Sequence, residues 1–99
     1  MTYCLVLDIP GSLELYKAAH AEFSRYPTDA MLVHVARPTD GGVQVVEVWT
    51  SEEACGEWMG TCIGPVASAL ATAGWTLPEV TPVPFEAAGL IVPAAGIAV

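Results

Sequence analysis

The sequence predicts an α+β fold, in which a single antiparallel sheet carries helices on one of its faces. Strand-like and helix-like segments follow one another in the order strand, helix, strand, strand, broken helix, strand. The two central strand-like segments are separated by a short turn that contains Asp40, Gly41 and Gly42, which favours a hairpin. The 99 residues suit one domain, which we predict over residues 1–92, followed by an apolar tail over residues 93–99.

The first strand is predicted over residues 2–9, because its apolar residues share a face and Pro10 follows. Ser12 is a suitable N-cap for a helix that we predict to extend to about residue 25. Apolar and aromatic residues recur in this helix at the spacing of one inward face. That face is predicted to hold Leu13, Tyr16, His20 and Phe23.

Two β-branched runs, residues 31–36 and residues 43–50, predict the central hairpin. A loop of two or four residues sets even-numbered positions of the first run opposite odd-numbered positions of the second. Histidine, glutamate and tryptophan side chains then share one face of the sheet. The predicted opposing pairs are His34 with Glu47 and Leu32 with Trp49, whereas a turn at Gly41-Gly42 would set His34 opposite Trp49 on the same face.

The other face of this hairpin is apolar as well, with Met31, Val33, Val35, Val46 and Val48. A sheet with one face in water would alternate apolar and polar residues along each strand. The helices of one small domain cover only one face. We therefore predict a homodimer in which the helix-free sheet faces of two copies pack together.

The second helix is predicted from a capping box formed by Thr50 and Glu53, followed by an apolar stripe at helical spacing. Gly64 and Pro65 predict a break in this helix. A short second segment is then expected to extend to about residue 73, before Gly74.

The C-terminal part completes the fold. Residues 77–84 contain three prolines and are predicted as an extended connection, and residues 83–91 as the last strand. The whole order corresponds to a ferredoxin-like split βαβ antiparallel sheet with helices on one face.

Charge and composition exclude several classes of function. The formal net charge is −8, whereas binding to nucleic acid or to an anionic membrane surface requires a basic patch. No apolar run reaches the length of about 20 residues that a membrane helix needs. The absence of a secretory pattern and an odd number of cysteines indicate the cytoplasm. The permanent cations are Lys17, Arg25 and Arg37, and the cysteines are Cys4, Cys55 and Cys62.

His34 and Glu47 are the predicted catalytic residues. Histidine titrates near neutral pH, and a neighbouring carboxylate fixes which ring nitrogen carries the proton, so the pair suits a general base. The alternative is a structural cross-strand pair that satisfies two polar groups in a mostly apolar sheet. The residues alone leave both alternatives open.

Aromatic residues are predicted to wall a substrate pocket between the sheet and the helices. Trp49 is the strongest candidate, because it shares the face of His34. For the tryptophans, the alternative is packing in the core. For Tyr16 and His20, the alternative is a position at the rim of the core with their polar ends in solvent. The predicted substrate-binding residues are Tyr16, His20, Phe23, Trp49 and Trp58, with Trp75 as a further aromatic.

No metal and no organic cofactor are expected. His34 and Glu47 supply only two ligands, and the cysteines lack C-x-x-C spacing. Gly41 and Gly42 lead into a strand rather than a helix, so they do not form a phosphate-binding loop. A cysteine nucleophile is disfavoured, because no basic residue lies close in sequence to lower a thiol pKa.

Two segments carry a resemblance to known proteins. Residues 32–42 read Leu-Val-His-Val-Ala-Arg-Pro-Thr-Asp-Gly-Gly, and residues 46–54 read Val-Glu-Val-Trp-Thr-Ser-Glu-Glu-Ala. Here the chain resembles the antibiotic-biosynthesis-monooxygenase-like branch of the dimeric α+β barrel superfamily, in particular its small actinobacterial members. The resemblance implies that barrel fold. Its members include cofactor-free monooxygenases of polyketide-type aromatics, haem degraders, cyclases, isomerases and proteins without known activity.

The chain departs from its relatives at two places. The last strand of related sequences often reads Phe-Glu-Val-His, whereas this chain reads Phe85-Glu86-Ala87-Ala88 and lacks that histidine. Haem-degrading members resemble the chain at Trp49 but need a histidine on the following helix, and no histidine follows His34. The resemblance therefore argues against haem.

Two hypotheses from different classes follow. The first is an enzyme without metal or organic cofactor, of monooxygenase, cyclase or isomerase type, that transforms an aromatic or polyketide-like metabolite. The second is a non-catalytic dimer that binds a small ligand or acts as an accessory protein. A polar-lined cavity at His34 would favour the first hypothesis, and an interface filled with side chains would favour the second.

Overall fold

The computed structural model describes residues 2–99, which form a four-stranded sheet, two helices and a small C-terminal hairpin. In chain order the elements are β1 (Tyr3–Pro10), α1 (Leu13–Phe23), β2 (Met31–Thr39), β3 (Gly42–Trp49), α2 (Glu52–Thr72), β4 (Val83–Phe85), β5 (Ile91–Val92), a 3₁₀ turn (Pro93–Ala95) and β6 (Ile97–Ala98).

The four main strands lie in the order β2-β3-β1-β4, and every neighbouring pair is antiparallel. The helices α1 and α2 contact each other, and both pack on β3. This arrangement is the ferredoxin-like α+β fold, so the predicted fold class is confirmed. No helix within residues 2–99 is both long and apolar enough to cross a membrane.

The hairpin of β2 and β3 turns over two residues, and His34 pairs with Glu47 as predicted. A bulge between Met31 and Val33 places Met31, rather than Leu32, opposite Trp49. The predicted pair of Leu32 with Trp49 is therefore wrong, because the extra residue shifts the strand by one position. Met31 consequently packs in the core on the helix side of the sheet, not on the opposite face as predicted.

Gly42 marks a close approach between β3 and β1. A Cβ at this position would clash with the carbonyl oxygen of Ile9. Gly42 is the partner of Pro10 in the β1–β3 pair. Only glycine therefore lets the hairpin turn approach the end of β1 this closely.

The first helix begins where the sequence predicts, since the Ser12 hydroxyl accepts a hydrogen bond from the backbone N–H of Leu15 at 3.1 Å. Leu13, predicted to face inward, is 37% exposed. A side chain in the first turn leans towards the helix N-terminus and so projects beyond the covered surface. Leu15 lines the interior instead.

The second helix is capped by Ser51 rather than by Thr50. The Ser51 hydroxyl accepts a hydrogen bond from the backbone N–H of Ala54 at 3.1 Å. Thr50 still donates its backbone N–H to the carbonyl of Ala30 at 2.8 Å. Because this hydrogen bond keeps Thr50 in the strand region, the helix begins one residue later than the capping box predicts.

The predicted break at Gly64 and Pro65 is also wrong, because α2 continues through both residues. Proline lacks the N–H that would bond to the carbonyl four residues earlier, here that of Thr61. Both Pro65 and Thr61 lie on the exposed side, where water can satisfy the carbonyl. One buried stripe continues past the proline and holds the helix together: Cys55, Cys62, Val66 and Leu70.

Two clusters of buried residues form the core, and Trp58 packs against both. One lies between the sheet and the start of α2. The other lies where α2 packs against α1 and against the segment that follows α2. The core is therefore continuous from the sheet to the helix layer. The first cluster holds Leu5, Trp49 and Cys55, and the second holds Cys62, Val66 and Leu70.

The last strand differs from the prediction. Of the residues predicted for this strand, Val83–Phe85 pairs with β1, with Phe85 opposite Cys4. Because β1 begins at Tyr3, almost no edge remains for later residues to pair with. Ile91–Val92 instead pairs with Ile97–Ala98, and these residues form a separate two-stranded sheet within the segment predicted as the end of the strand and an apolar tail.

Candidate functional site

A cavity of about 410 Å³ lies between the helices and the sheet. Its wall is mostly apolar and comes from β1, α1, β2, β3, α2 and the segment over residues 77–82. Small-molecule pockets have this character, with a few polar groups set in an apolar wall. The polar and titratable side chains of the wall are Tyr16, His20, Ser24, Tyr26, Thr28, His34 and Glu47.

His34 and Glu47 form a half-buried pair on the cavity side of the sheet. The distance between His34 Nδ1 and Glu47 Oε2 is 2.9 Å. The other oxygen of Glu47 accepts a hydrogen bond from the indole N–H of Trp49 at 3.0 Å. Both carboxylate oxygens are therefore held, which fixes the orientation of the His34 ring.

Tyr16, on α1, is the third residue of this hydrogen-bonded group. Its hydroxyl lies 2.7 Å from His34 Nε2 and 3.3 Å from His20 Nδ1. The Tyr16 ring lies nearly parallel to the His34 ring, at an interplanar angle of 14° and a centroid distance of 6.2 Å, and its centroid is 5.6 Å from that of His20. Tyr16 and His20 are one helical turn apart, so one face of α1 presents both to the sheet.

The hydrogen bonds determine where the protons lie. Glu47 as a carboxylate only accepts, so the proton of a neutral His34 lies on Nδ1. Nε2 of His34 is then an acceptor, and the Tyr16 hydroxyl donates to it. Burial raises the pKa of Tyr16 above its ordinary value of 10.0, and the negative charge of Glu47 raises it further. Tyr16 is therefore a neutral donor at physiological pH.

The aromatic residues that are predicted to line the pocket do not all do so in the structure. Trp49 is predicted to line the substrate pocket, but it is fully buried beneath the cavity, where it packs in the core and donates a hydrogen bond to Glu47. Phe23 and Trp58 do line the cavity, with their rings 5.5 Å apart. Trp75 packs against the second core cluster.

Part of the wall was missed by sequence reasoning. The proline-rich segment over residues 77–82 closes one side of the cavity with Leu77, Pro78, Val80 and Pro82. The alternation of apolar residues with prolines in this segment was the available signal. The direct bond between Tyr16 and His34 was also missed, because nothing in the sequence fixes the distance between α1 and β2.

The cysteines do not extend the site. All three are free and buried. Burial raises the pKa of the Cys55 thiol to about 11, and the charges of Glu47 and Glu52 contribute to this shift. A thiolate nucleophile at Cys55 is therefore disfavoured at neutral pH. Within residues 2–99, no group of three or more His, Cys, Asp or Glu side chains is arranged to hold a metal ion.

The sequence matches no family model and no curated protein. The structure, in contrast, is similar to solved structures of antibiotic biosynthesis monooxygenase-like proteins. A proposed antibiotic biosynthesis monooxygenase from Deinococcus radiodurans superposes with a TM-score of 0.60 at 15% identity, over 92% of this chain and 96% of that one. Rv0793 from Mycobacterium tuberculosis superposes with a TM-score of 0.58 at 17% identity, over 87% and 93%.

SnoaB, a cofactor-independent oxygenase from Streptomyces nogalater, is similar with a TM-score of 0.52 at 21% identity, over 87% of this chain and 90% of that one. These similarities extend over almost the full length of each chain. The chain therefore has the fold of the antibiotic biosynthesis monooxygenase-like proteins, as the resemblance of its hairpin implies.

Proposed function

We propose that this protein, which has the fold of the antibiotic biosynthesis monooxygenase-like proteins, is an enzyme that transforms an aromatic or polyketide-like metabolite without metal or organic cofactor. In this proposal His34 is the base, and Glu47 orients it and stabilises its protonated form. Monooxygenation, cyclisation and isomerisation can each begin with removal of a proton from a phenol or an activated carbon. The cofactor-independent oxygenase SnoaB, on the same fold, supports this class of chemistry.

One observation carries the proposal: the His34–Glu47 pair lies in the wall of a cavity rather than in solid core. A volume of about 410 Å³ falls within the range of about 300 to 1,000 Å³ that is typical of small-molecule sites. A pair with a purely structural role would not need empty space beside it. Phe23 and Trp58 supply aromatic surface for a flat ligand in the same cavity.

The charge of the cavity wall supports an uncharged substrate. Within residues 2–99, no lysine or arginine lines the cavity, whereas Glu47 contributes a carboxylate. A substrate carboxylate or phosphate would be buried without a cation, which is unfavourable. The hydroxyl groups of a neutral ring system would instead find hydrogen-bond partners in Tyr16 and His20.

A panel of hydroxylated naphthalenes and anthracenes tests this proposal, together with matched analogues that carry a carboxylate. We expect turnover of at least one neutral compound in the absence of added metal or cofactor, and weaker binding of its carboxylated analogue. Mass spectrometry of products formed with and without dioxygen distinguishes oxygenation from cyclisation or isomerisation. Tight binding of neutral compounds without any turnover would contradict the enzymatic proposal.

A second candidate function is a non-catalytic dimer that binds a small ligand. The observation that favours it is the completeness of the polar network. Within residues 2–99, every buried side-chain nitrogen and oxygen has a hydrogen-bond partner. Networks of this kind also serve purely structural roles. The same compound panel separates the two functions, because this candidate requires binding without product.

We also propose that two copies pair through their helix-free sheet faces. A row of four valines crosses that face, formed by Val35, Val46, Val6 and Val83 on neighbouring strands. Val35 and Val83 are 58% and 57% exposed in the isolated chain. Such a row on an obligate interface is expected to contribute to a total buried area on the order of 2,000 Å².

Val35→Glu is expected to convert the dimer to a monomer, because it places a charge in this row while Val35 itself makes little contact within the chain. Val48 is a poorer probe, since it is only 4% exposed and a charge there would also damage the core. Leu13→Glu, on the helix layer, is the matched control and is expected to remain dimeric. Sedimentation velocity at micromolar concentration decides the matter: a monomeric wild-type protein would exclude the interface.

We further propose that the protein works in the cytoplasm. Its three cysteines are free, and a reducing compartment keeps thiols in that state.

A further inference from the structure

We infer that Tyr16, rather than His34, is the residue that contacts the reacting hydroxyl of the substrate, and that His34 receives the proton through the Tyr16 hydroxyl. This inference rests on the proposed function and assigns the order of groups within its site. The relay consists of Tyr16, His34 and Glu47, in that order from the cavity to the sheet.

The first argument concerns the ring nitrogens of His34. Nδ1 is 2.9 Å from Glu47 Oε2, and Nε2 is 2.7 Å from the Tyr16 hydroxyl. Both nitrogens therefore already have partners, and an imidazole has no third position that can accept a proton. A substrate could reach Nε2 directly only by displacing the short bond to Tyr16.

The second argument concerns the hydrogen-bonding capacity of Tyr16. A phenolic hydroxyl donates one hydrogen bond and has lone pairs with which it accepts. Its proton is directed to His34 Nε2, so its oxygen remains able to accept a hydrogen bond from a substrate hydroxyl. His20 Nδ1, at 3.3 Å, lies on the same oxygen, and a proton on that nitrogen would stabilise negative charge on it. Both Tyr16 and His20 line the cavity.

The proton transfer balances without any other reactant. The substrate O–H bond breaks, and its proton forms a new O–H bond on Tyr16 while the original Tyr16 proton moves to His34 Nε2. The products are a substrate anion, a neutral Tyr16 and a protonated His34 beside the carboxylate of Glu47. Net charge is conserved, and Tyr16 does not have to exist as a free tyrosinate. Its raised pKa is consistent with that requirement, since burial disfavours the anion.

The relay predicts a specific effect for Tyr16→Phe, which removes the hydroxyl and keeps the ring. We expect kcat to fall about 10²-fold or more, with a much smaller change in KM, on the compound that the wild-type protein turns over. Tyr3→Phe is the matched control, because Tyr3 packs at the first core cluster and outside this cavity. Its kcat is expected to equal that of the wild type.

A second measurement does not depend on turnover. 1-Naphthol bound to the wild-type protein is expected to show the absorption of its anion at a lower pH than free 1-naphthol. Tyr16→Phe and His34→Ala should both abolish this shift, whereas Tyr3→Phe should keep it.

The outcomes separate the two proposals. If Tyr16→Phe retains full activity while His34→Ala is inactive, the relay is overturned and the proposed function stands, with His34 acting directly. If Tyr16→Phe and His34→Ala both retain full activity, the proposed roles of both residues are overturned. If no compound is turned over and bound 1-naphthol stays protonated or does not bind, both proposals fail.

Discussion

Replacing His34 by alanine is expected to lower kcat by about 10²- to 10⁴-fold, the contribution that is typical of a general base. The substitution removes the acceptor of the proton and leaves Glu47 Oε2 without its His34 partner, while Oε1 keeps the indole N–H of Trp49 as a donor. The His34 side chain is 24% exposed, so a small residue at this position is tolerated by the core. Steady-state kinetics on the best compound of the panel, with circular dichroism and sedimentation as controls, measures the effect.

Two further variants test whether the loss of kcat in His34→Ala comes from the loss of the base. Glu47→Gln keeps the shape of the side chain but removes the charge that stabilises a protonated His34, so a smaller loss than for His34→Ala is expected. Tyr3→Phe is again the control, because Tyr3 packs at the first core cluster and outside this cavity. A folded, dimeric His34→Ala protein with full activity would remove His34 from the mechanism.

Replacing Trp49 by alanine is expected to lower the free energy of unfolding by about 3 to 5 kcal/mol, the usual cost of truncating a fully buried aromatic residue. Trp49 is the largest fully buried side chain of the described residues. That loss is a large part of the roughly 5 to 15 kcal/mol that stabilise a typical domain. Urea denaturation at a fixed protein concentration measures it, because dimerisation makes apparent stability depend on concentration.

Trp49→Phe separates packing from hydrogen bonding. It keeps most of the buried ring but leaves Glu47 Oε1 without its donor, which is expected to cost about 1 to 3 kcal/mol. Trp75→Phe is the control, since no indole hydrogen bond of Trp75 is present within residues 2–99. If Trp49→Phe costs no more than Trp75→Phe, the bond from Trp49 to Glu47 contributes nothing measurable to stability.

Local and near-neighbour features of the molecule could be predicted from the sequence. The pairing of His34 with Glu47 follows from parity across a two-residue turn, since strand side chains alternate with a period of two. The cap at Ser12 follows from the need of a helix start for a side-chain acceptor. Both depend on residues close in sequence or joined by a tight turn, so the pattern contains the necessary information.

Other features were predicted wrongly, because tertiary contacts overrode a local sequence rule. Pro65 interrupts the hydrogen-bond pattern, yet α2 continues because Cys62 and Val66 on either side are both fully buried in one cluster. The bulge between Met31 and Val33 leaves no mark in composition, but it moves Met31 to the helix side of the sheet. The last strand stops at Phe85 because its partner β1 begins at Tyr3, a limit that lies elsewhere in the chain.

The sequence by itself thus determined the ferredoxin-like order of elements and the shared face of His34, Glu47 and Trp49, because alternation and turn chemistry are local. Only the tertiary structure decided what lies above that face. The packing distance between α1 and the sheet sets the 2.7 Å contact of Tyr16 with His34 and leaves the cavity open. The same packing buries Trp49 below the cavity and places Trp58 in its wall. Such distances depend on how all side chains of two layers fit together, and no single segment encodes them.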